Sequence, residues 1–177
     1  MIYAGENIID TTNLESTINY SSLCSDWGGI CCERDDALVL LTERDFNRVP
    51  VHLTETFNDS LVMKSDENGC VAYQDSSCTI YVDRPQYCRD YPLVICPVVG
   101  PGAWDSEYFL GYIITVSSCL LGDQIDFEQE SEQYIQRLLN NLEYANTLLR
   151  FVRDRKTYHK SQLETLSYYK WIPNIGD

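Results

Sequence analysis

The sequence predicts an α+β fold: a small cysteine-rich core of short strands and helices, followed by a helical C-terminal part. Three observations carry that expectation. Seven of the eight cysteines lie between Cys24 and Cys96, among short apolar runs separated by Asn-Gly and Asp-Ser-Ser turns. The stretch Asp126–Lys156 instead repeats its apolar residues at helical intervals. A chain of 177 residues with 44% apolar and 12% aromatic content can bury one sizeable core, which excludes disorder as a description of the whole.

Taken in order, residues 1–20 are polar and mixed and read as an N-terminal arm. Ala37–Leu41 is an apolar run of strand length, and Thr42–Val49 reads as a short helix stopped by Pro50, with Thr42 as N-cap and Glu43 and Asp45 in its first turn. Leu61–Lys64, Cys70–Tyr73 and Thr79–Val82 read as short strands. Pro85, whose fixed φ suits a helix start, opens a short helix that carries Cys88 and Arg89, and Pro92 ends it. The Gly100-Pro101-Gly102 step reads as a loop between a core with its arm, residues 1–100, and a helical extension, residues 101–177, that packs on the core as one domain.

Further along, Tyr108–Leu121 carries β-branched Ile113-Ile114-Thr115-Val116, but its length and the following Gly122 favour a helix. Asp126–Lys156 reads as one long amphipathic helix. Ile135, Leu138, Leu139, Leu142, Ala145, Leu149 and Val152 form its stripe, with acids at its start and Arg150, Arg153, Arg155 and Lys156 at its end, as the helix dipole prefers. That stripe meets the chain's own core or, alternatively, a protein partner. Ser161-Gln162-Leu163-Glu164 reads as a capping box for a final helix to Lys170, with Trp171-Ile172-Pro173 packing back.

The formal net charge is -14, from 13 Lys+Arg against 27 Asp+Glu. Phosphate backbones are bound by clustered Lys and Arg, and no such cluster precedes Arg150–Lys156, so no nucleic-acid partner is expected. The acidity itself reads as solubility. The start lacks a basic segment followed by an apolar one, which points to a cytoplasmic protein. Tyr108–Leu121 falls short of the roughly 18–20 apolar residues of a membrane-spanning helix, so no membrane partner is expected either.

In a reducing compartment, clustered cysteines more often serve metal binding or redox chemistry than disulfides. Adjacent side chains diverge, so Cys31 and Cys32 do not readily bond each other. The spacing is neither that of a common zinc finger nor that of a ferredoxin, and His52 and His159 stand apart from other ligand types. What remains is Cys24-x6-Cys31-Cys32 and Cys70-x7-Cys78-x9-Cys88-x7-Cys96, two groups that only folding brings together. Cys119, downstream, reads as a packing residue.

Cys31-Cys32, Leu40-Leu41-Thr42-Glu43, Asn68-Gly69-Cys70 and the run C-x-I-Y-x-x-R-P-x-x-C-R-x-Y-P from Cys78 to Pro92 together resemble the YkgJ-type cysteine-cluster family over roughly residues 24–100. That family is described as chelating zinc or iron. The resemblance implies a metal-organised core and, since some relatives carry the domain inside flagellin lysine methylases thought to use an iron–sulfur cluster, also admits iron–sulfur chemistry. Those enzymes are much longer, and this chain has no glycine-rich nucleotide loop. It also departs from the family pattern in the longer insert Ser25–Ile30 ahead of Cys31.

The metal candidates are therefore Cys24, Cys31, Cys32, Cys70, Cys78, Cys88 and Cys96. Thiolates favour zinc, copper(I) or iron–sulfur centres over magnesium or calcium. The cofactor expected is zinc or iron, extending to a 4Fe-4S cluster. Seven positions exceed one tetrahedral site, so packing thiols, a cluster or two metals must account for the remainder. Arg84 and Arg89 flank Cys88 and are candidates to orient the thiolates from behind, or else to fix a turn, with Arg89 paired to Asp83 or Asp90. Glu43, Glu67 and Asp35-Asp36 lie near cysteines in a chain crowded with acids, and Glu43 follows the Leu-Thr step as an acid does in the resembling family. No catalytic residue stands out. The expected function is intracellular metal binding, with two alternatives: a metal- or iron–sulfur-dependent enzyme modifying a protein or peptide, and a disulfide-stapled interaction module.

Overall fold

The computed structural model describes residues 29, 31–33, 38–102, 107–117, 124–153, 155 and 157–173. The cysteine-rich half is a succession of three small antiparallel hairpins. β1 (Thr54–Phe57) pairs with β2 (Ser60–Met63), β3 (Ser65–Asp66) with β4 (Gly69–Cys70), and β5 (Tyr73–Gln74) with β6 (Ser77–Cys78). Two of the hairpins close through two-residue turns with both φ positive, Asn58-Asp59 and Asp75-Ser76, the geometry that matches the right-handed twist of paired strands. Each hairpin is tied to the segment before it: the Lys64 N–H donates to the Leu53 carbonyl, Val71 N–H to Lys64, and Thr79 N–H to Ala72. Their shared core is small, made of Leu41, Val49, Leu53, Met63 and Ala72.

Val39–Leu41 runs beside β2, but as an extended segment with a single bridge from Leu40 to Val62 and not the strand expected over Ala37–Leu41. The Leu41 N–H donates to the Leu61 carbonyl and the Met63 N–H to Val39, each at 2.9 Å. Adjacent side chains of an extended segment point to opposite faces. Leu41 therefore enters the hairpin core while Leu40 enters the core of the second half.

After the hairpins comes α1 (Gln86–Asp90), capped by Pro85 and followed by Tyr91-Pro92, as the two prolines predict. β7 (Leu93–Pro101) then pairs antiparallel with β8 (Glu107–Val116), with a register shift between Val98 and Val99. The helices α2 (Phe127–Asn140) and α3 (Leu142–Arg153) follow, then β9 (Tyr158–His159), a 3-10 segment at Lys160–Thr165, and β10 (Tyr169–Trp171). The sheet order is β10-β8-β7-β9, with β9 parallel to β7. One core joins Leu93, Ile95 and Ile114 of this sheet to Phe127, Tyr134, Leu138, Ala145, Leu148 and Val152 of the helices, with Leu40 and Ile172. A smaller one gathers Cys96, Val98, Ile113 and Leu163. The fold is α+β with a helical C-terminal part.

Several expectations fail locally. Tyr108–Leu121 is not helical: its described residues through Val116 belong to β8, where the β-branched run Ile113–Val116 lines up against Leu93–Cys96. The helix expected over Asp126–Lys156 breaks at Asn141, whose side-chain oxygen accepts the Tyr144 N–H at 3.2 Å and so caps a second helix. Its stripe does turn inward at Ile135, Leu138, Ala145, Leu149 and Val152, while Leu139 and Leu142 stay exposed.

Thr42–Val49 is a series of turns in which Asp45 accepts from the Thr42 N–H at 2.9 Å and hydroxyl at 2.8 Å, the reverse of the expected cap. Cys70–Tyr73 is split between β4 and β5, and Thr79–Val82 is turn rather than strand, with Asp83 N–H bonded to Ile80. Gly100 and Pro101 continue β7 instead of forming a loop. The final helix is only the 3-10 segment, whose Gln162 side chain accepts from the His159 N–H at 2.7 Å, and Tyr169–Lys170 belongs to β10. Ile172 packs back as expected, its N–H bonded to Tyr112.

Among the described residues no helix is long and apolar enough to cross a membrane. Cys24, Cys119, Asp35, Asp36 and the arm at residues 1–20 lie outside the described residues. Replacing Asn141 with Ala removes the cap on α3 and should cost about 1 kcal/mol, read as a lower midpoint in urea with an unchanged slope.

Candidate metal centre

The Cys31-Cys32 turn is closed by the Cys32 N–H on the Gly29 carbonyl at 2.6 Å. The Cys32 carbonyl in turn accepts the Cys70 N–H at 2.7 Å, which stitches the turn to β4. Gly69 makes this approach feasible. Its φ is +103°, and a Cβ there would collide with the Cys32 carbonyl and Glu33 backbone. The Asn-Gly-Cys step noted in the sequence thus has a physical reason: glycine admits the second cysteine-bearing chain.

Cys78 ends β6, and Cys88 sits in the middle of α1. That helix has five residues, too few to stand alone. Two buried carboxylates hold it. Asp45 accepts the Gln86 N–H at 3.2 Å, and Asp90 accepts from Arg137 at 3.2 Å, Gln86 at 2.9 Å and the Tyr144 hydroxyl at 2.8 Å. Burial pushes the Asp90 carboxyl above its usual range in spite of Arg137, Tyr144 and Gln86. Neither aspartate stands out in a sequence with 27 acids.

Cys31, Cys32, Cys70, Cys78 and Cys88 all line one cleft. The Cys31 and Cys32 sulfurs are 3.9 Å apart. Cys31 is lowered, chiefly by the hydrogen bond from Cys32, and Cys32 is correspondingly raised, with burial and the charges of Cys31, Cys88 and Cys70 adding to it. Burial raises Cys70 and Cys78, and raises Cys88 most severely, with neighbouring thiols contributing in each case. Of the arginines, Arg84 acts on the thiols, its charge favouring the ionised forms of Cys78 and Cys88. It is itself fixed by the Tyr81 carbonyl at 2.8 Å and lies 3.9 Å over the Tyr81 ring. Arg89 braces the loop ahead of α1, donating to the carbonyls of Arg84 at 3.0 Å and Val82 at 2.6 Å.

The other candidates are placed differently. Cys96 also lines the cleft, but it is buried in the sheet beside Val98, Ile113 and Leu163. His52 is exposed on the 3-10 turn Val51–Leu53, and His159 pairs with Glu107 at 2.7 Å. Glu43 is exposed at the cleft's rim, and Glu67 is exposed between β3 and β4. The six described cysteines are free thiols. As they stand, no group of three or more His, Cys, Asp or Glu side chains among the described residues is disposed to hold a metal ion.

The family model described as "putative zinc- or iron-chelating domain" matches residues 23–119, more than half the chain. The chain belongs to the CxxCxxCC family. This bears out the cysteine-cluster resemblance, and a metal ion is the cofactor that the family's description names. No curated protein and no solved structure matches the chain. The spacing spelled by the CxxCxxCC name would place cysteines at positions 25 and 28, where this chain has Ser25 and Gly28, with Cys24 one position away. The donor set suits such an ion: soft thiols in a desolvated cleft with one arginine to offset their charge.

The Asp90–Arg137 pair generates a test of how α1 is held. Arg137→Ala leaves the Asp90 carboxylate buried without its cation, which typically costs about 3–5 kcal/mol. Denaturant unfolding should show that loss, and a change under 1 kcal/mol would mean the pair is not what secures the helix.

Proposed function

We propose that this protein holds one zinc or iron ion through the thiolates of Cys31, Cys70, Cys78 and Cys88, with Cys32 as a fifth thiol beside them. The observation that carries the reading is their meeting on one cleft: Cys88 feels the charges of Cys70, Cys31 and Cys78, Cys70 those of Cys78 and Cys31, and Cys78 that of Cys31. Within the Cys31–Cys32 pair, the hydrogen bond between the two sulfurs favours the ionised form of one of them, Cys31. Arg84 offsets part of the charge that remains when four thiolates meet a divalent ion.

Four thiolates complete a tetrahedral zinc site and leave no position for a substrate, which favours a structural or regulatory ion. The ion would join the Gly29–Cys32 turn, β4, β6 and α1, pieces of two to five residues whose shared apolar core is small. Binding free energy there is also folding free energy. Free thiols fit a reducing, intracellular place. The packing of Leu40 with the sheet and helices supports treating residues 1–100 and 101–177 as one domain.

A second reading, an iron–sulfur enzyme acting on a protein or peptide, is favoured by Cys32, which exceeds the four thiolates of a closed site, and by its place on the cleft. Elemental analysis with an absorption spectrum of protein purified without oxygen separates the two. About one zinc or iron per chain without labile sulfide supports the first reading, iron with sulfide the second, and a metal-free protein neither.

Substitution provides the finer test. Cys70→Ser, Cys78→Ser and Cys88→Ser should each lose the bound metal and lower the melting temperature together, whereas Cys96→Ser should keep the metal. Full metal content in the Cys78 and Cys88 variants would overturn the assignment.

A further inference from the structure

Tyr73 is the residue at the thiol cleft that metal binding by cysteines does not explain. Its hydroxyl is buried and has no hydrogen-bond partner among the described residues. A buried polar group left unsatisfied costs roughly 1–3 kcal/mol, and folded proteins leave few of them. The residue is nevertheless tightly placed. It opens β5 opposite Cys78, and its backbone favours the ionised form of Cys70 by a hydrogen bond. Its ring lies against Gly29, the residue that closes the Cys31-Cys32 turn. Gly29 has φ +58°, and a Cβ there would run into the Tyr73 ring carbons and hydroxyl, so glycine at this position is what allows the ring to seat.

The ring therefore spans from β5 to the turn that carries the adjacent thiols, with its hydroxyl at the turn end. The charges of Glu33, Cys32 and Cys31 bear on that hydroxyl, and so does the Ser76 side chain, which stands near it without meeting hydrogen-bond geometry. A neutral thiol is a weak acceptor, whereas a metal-bound thiolate offers sulfur lone pairs that accept well.

We propose that Tyr73 is a positioning residue of the metal centre, its hydroxyl donating an O–H···S hydrogen bond to the Cys31-Cys32 pair once those sulfurs bind the ion. The inference rests on the metal reading above. It gives the unsatisfied hydroxyl a partner that exists only in the loaded protein, so the bond favours the loaded form without stabilising the metal-free one. Removing the oxygen alone should then weaken metal binding and leave the metal-free fold intact.

The test uses the full chain and Tyr73→Phe, which keeps the ring on Gly29. Zinc affinity is measured by competition with a chromophoric chelator, cobalt(II) serves as a spectroscopic probe, and thermal unfolding is followed on the metal-free forms. The expected result is a metal-free Tyr73→Phe protein that melts with the wild type or slightly above it. Its zinc affinity should be weaker by about tenfold or more, with a displaced sulfur-to-cobalt charge-transfer band.

If the wild type takes up both ions and Tyr73→Phe matches it in affinity and spectrum, this inference fails and the metal reading stands. If the metal-free variant loses stability in step with its affinity, the hydroxyl is a general structural group and the inference also fails. If the wild type takes up neither ion, both readings fall together.

Discussion

A five-residue helix cannot hold itself, and much of the site depends on the two buried carboxylates that hold this one. Asp45 bonds the first N–H of α1, and Asp90 at its other end is tied to Arg137 of α2 and Tyr144 of α3. The chemistry of the two ends differs. Asp45 gathers three donors from two segments, Thr42 and Gln86, and is a turn-former that also reaches across the fold. Asp90 is a desolvated acid whose burial outweighs its partners, so it is a constraint on geometry more than a source of stability. Between them Cys88 is fixed relative to the helical half, on the cleft that Cys70 and Cys78 also line.

The other thiols are carried differently. Cys31, Cys32, Cys70 and Cys78 sit on turns and two-residue strands joined by a few backbone hydrogen bonds. The Cys32–Cys70 contact needs Gly69, and the Gly29–Tyr73 contact needs Gly29. The cleft is thus bounded on one side by α1 and β7, backed by a substantial core, and on the other by hairpins with a small one. A cation binding the thiols would bridge these two sides, which is where a small domain gains most from a bound ion.

The local punctuation of the chain was legible where its cause was local. Pro85 and Pro92 bound α1, the Asn-Gly step lies beside the close approach of Cys32 and Cys70, and the acidic start and basic end of α2 and α3 run as the dipole requires. What was not legible depended on tertiary partners. β8 has the length of a helix, but its β-branched run is settled as strand by the pairing with β7. Asn141 could be read as one more helical residue until its side chain is seen to cap α3. Among the cysteines, the clustered spacing pointed to shared chemistry, and the resemblance to a known family pointed to metal. The packing of Cys96 with Val98, Ile113 and Leu163 needed the sheet, since alternation along β7 decides which way its side chain faces. Arg84 and Arg89 look equivalent in the motif, but Arg84 bears on Cys78 and Cys88 while Arg89 donates to the carbonyls of Arg84 and Val82. Tyr73 carries no signal in the sequence, and Asp45 reads there only as a first-turn acid, because aromatic and acidic residues are common throughout this chain.

The central claim is that thiolates from both sides of the cleft share one ion. X-ray absorption at the metal edge of the purified, loaded protein tests it most directly. The account predicts about four sulfur neighbours, near 2.3 Å if the metal is zinc. A nearest shell of nitrogen and oxygen, with one sulfur or none, would contradict it.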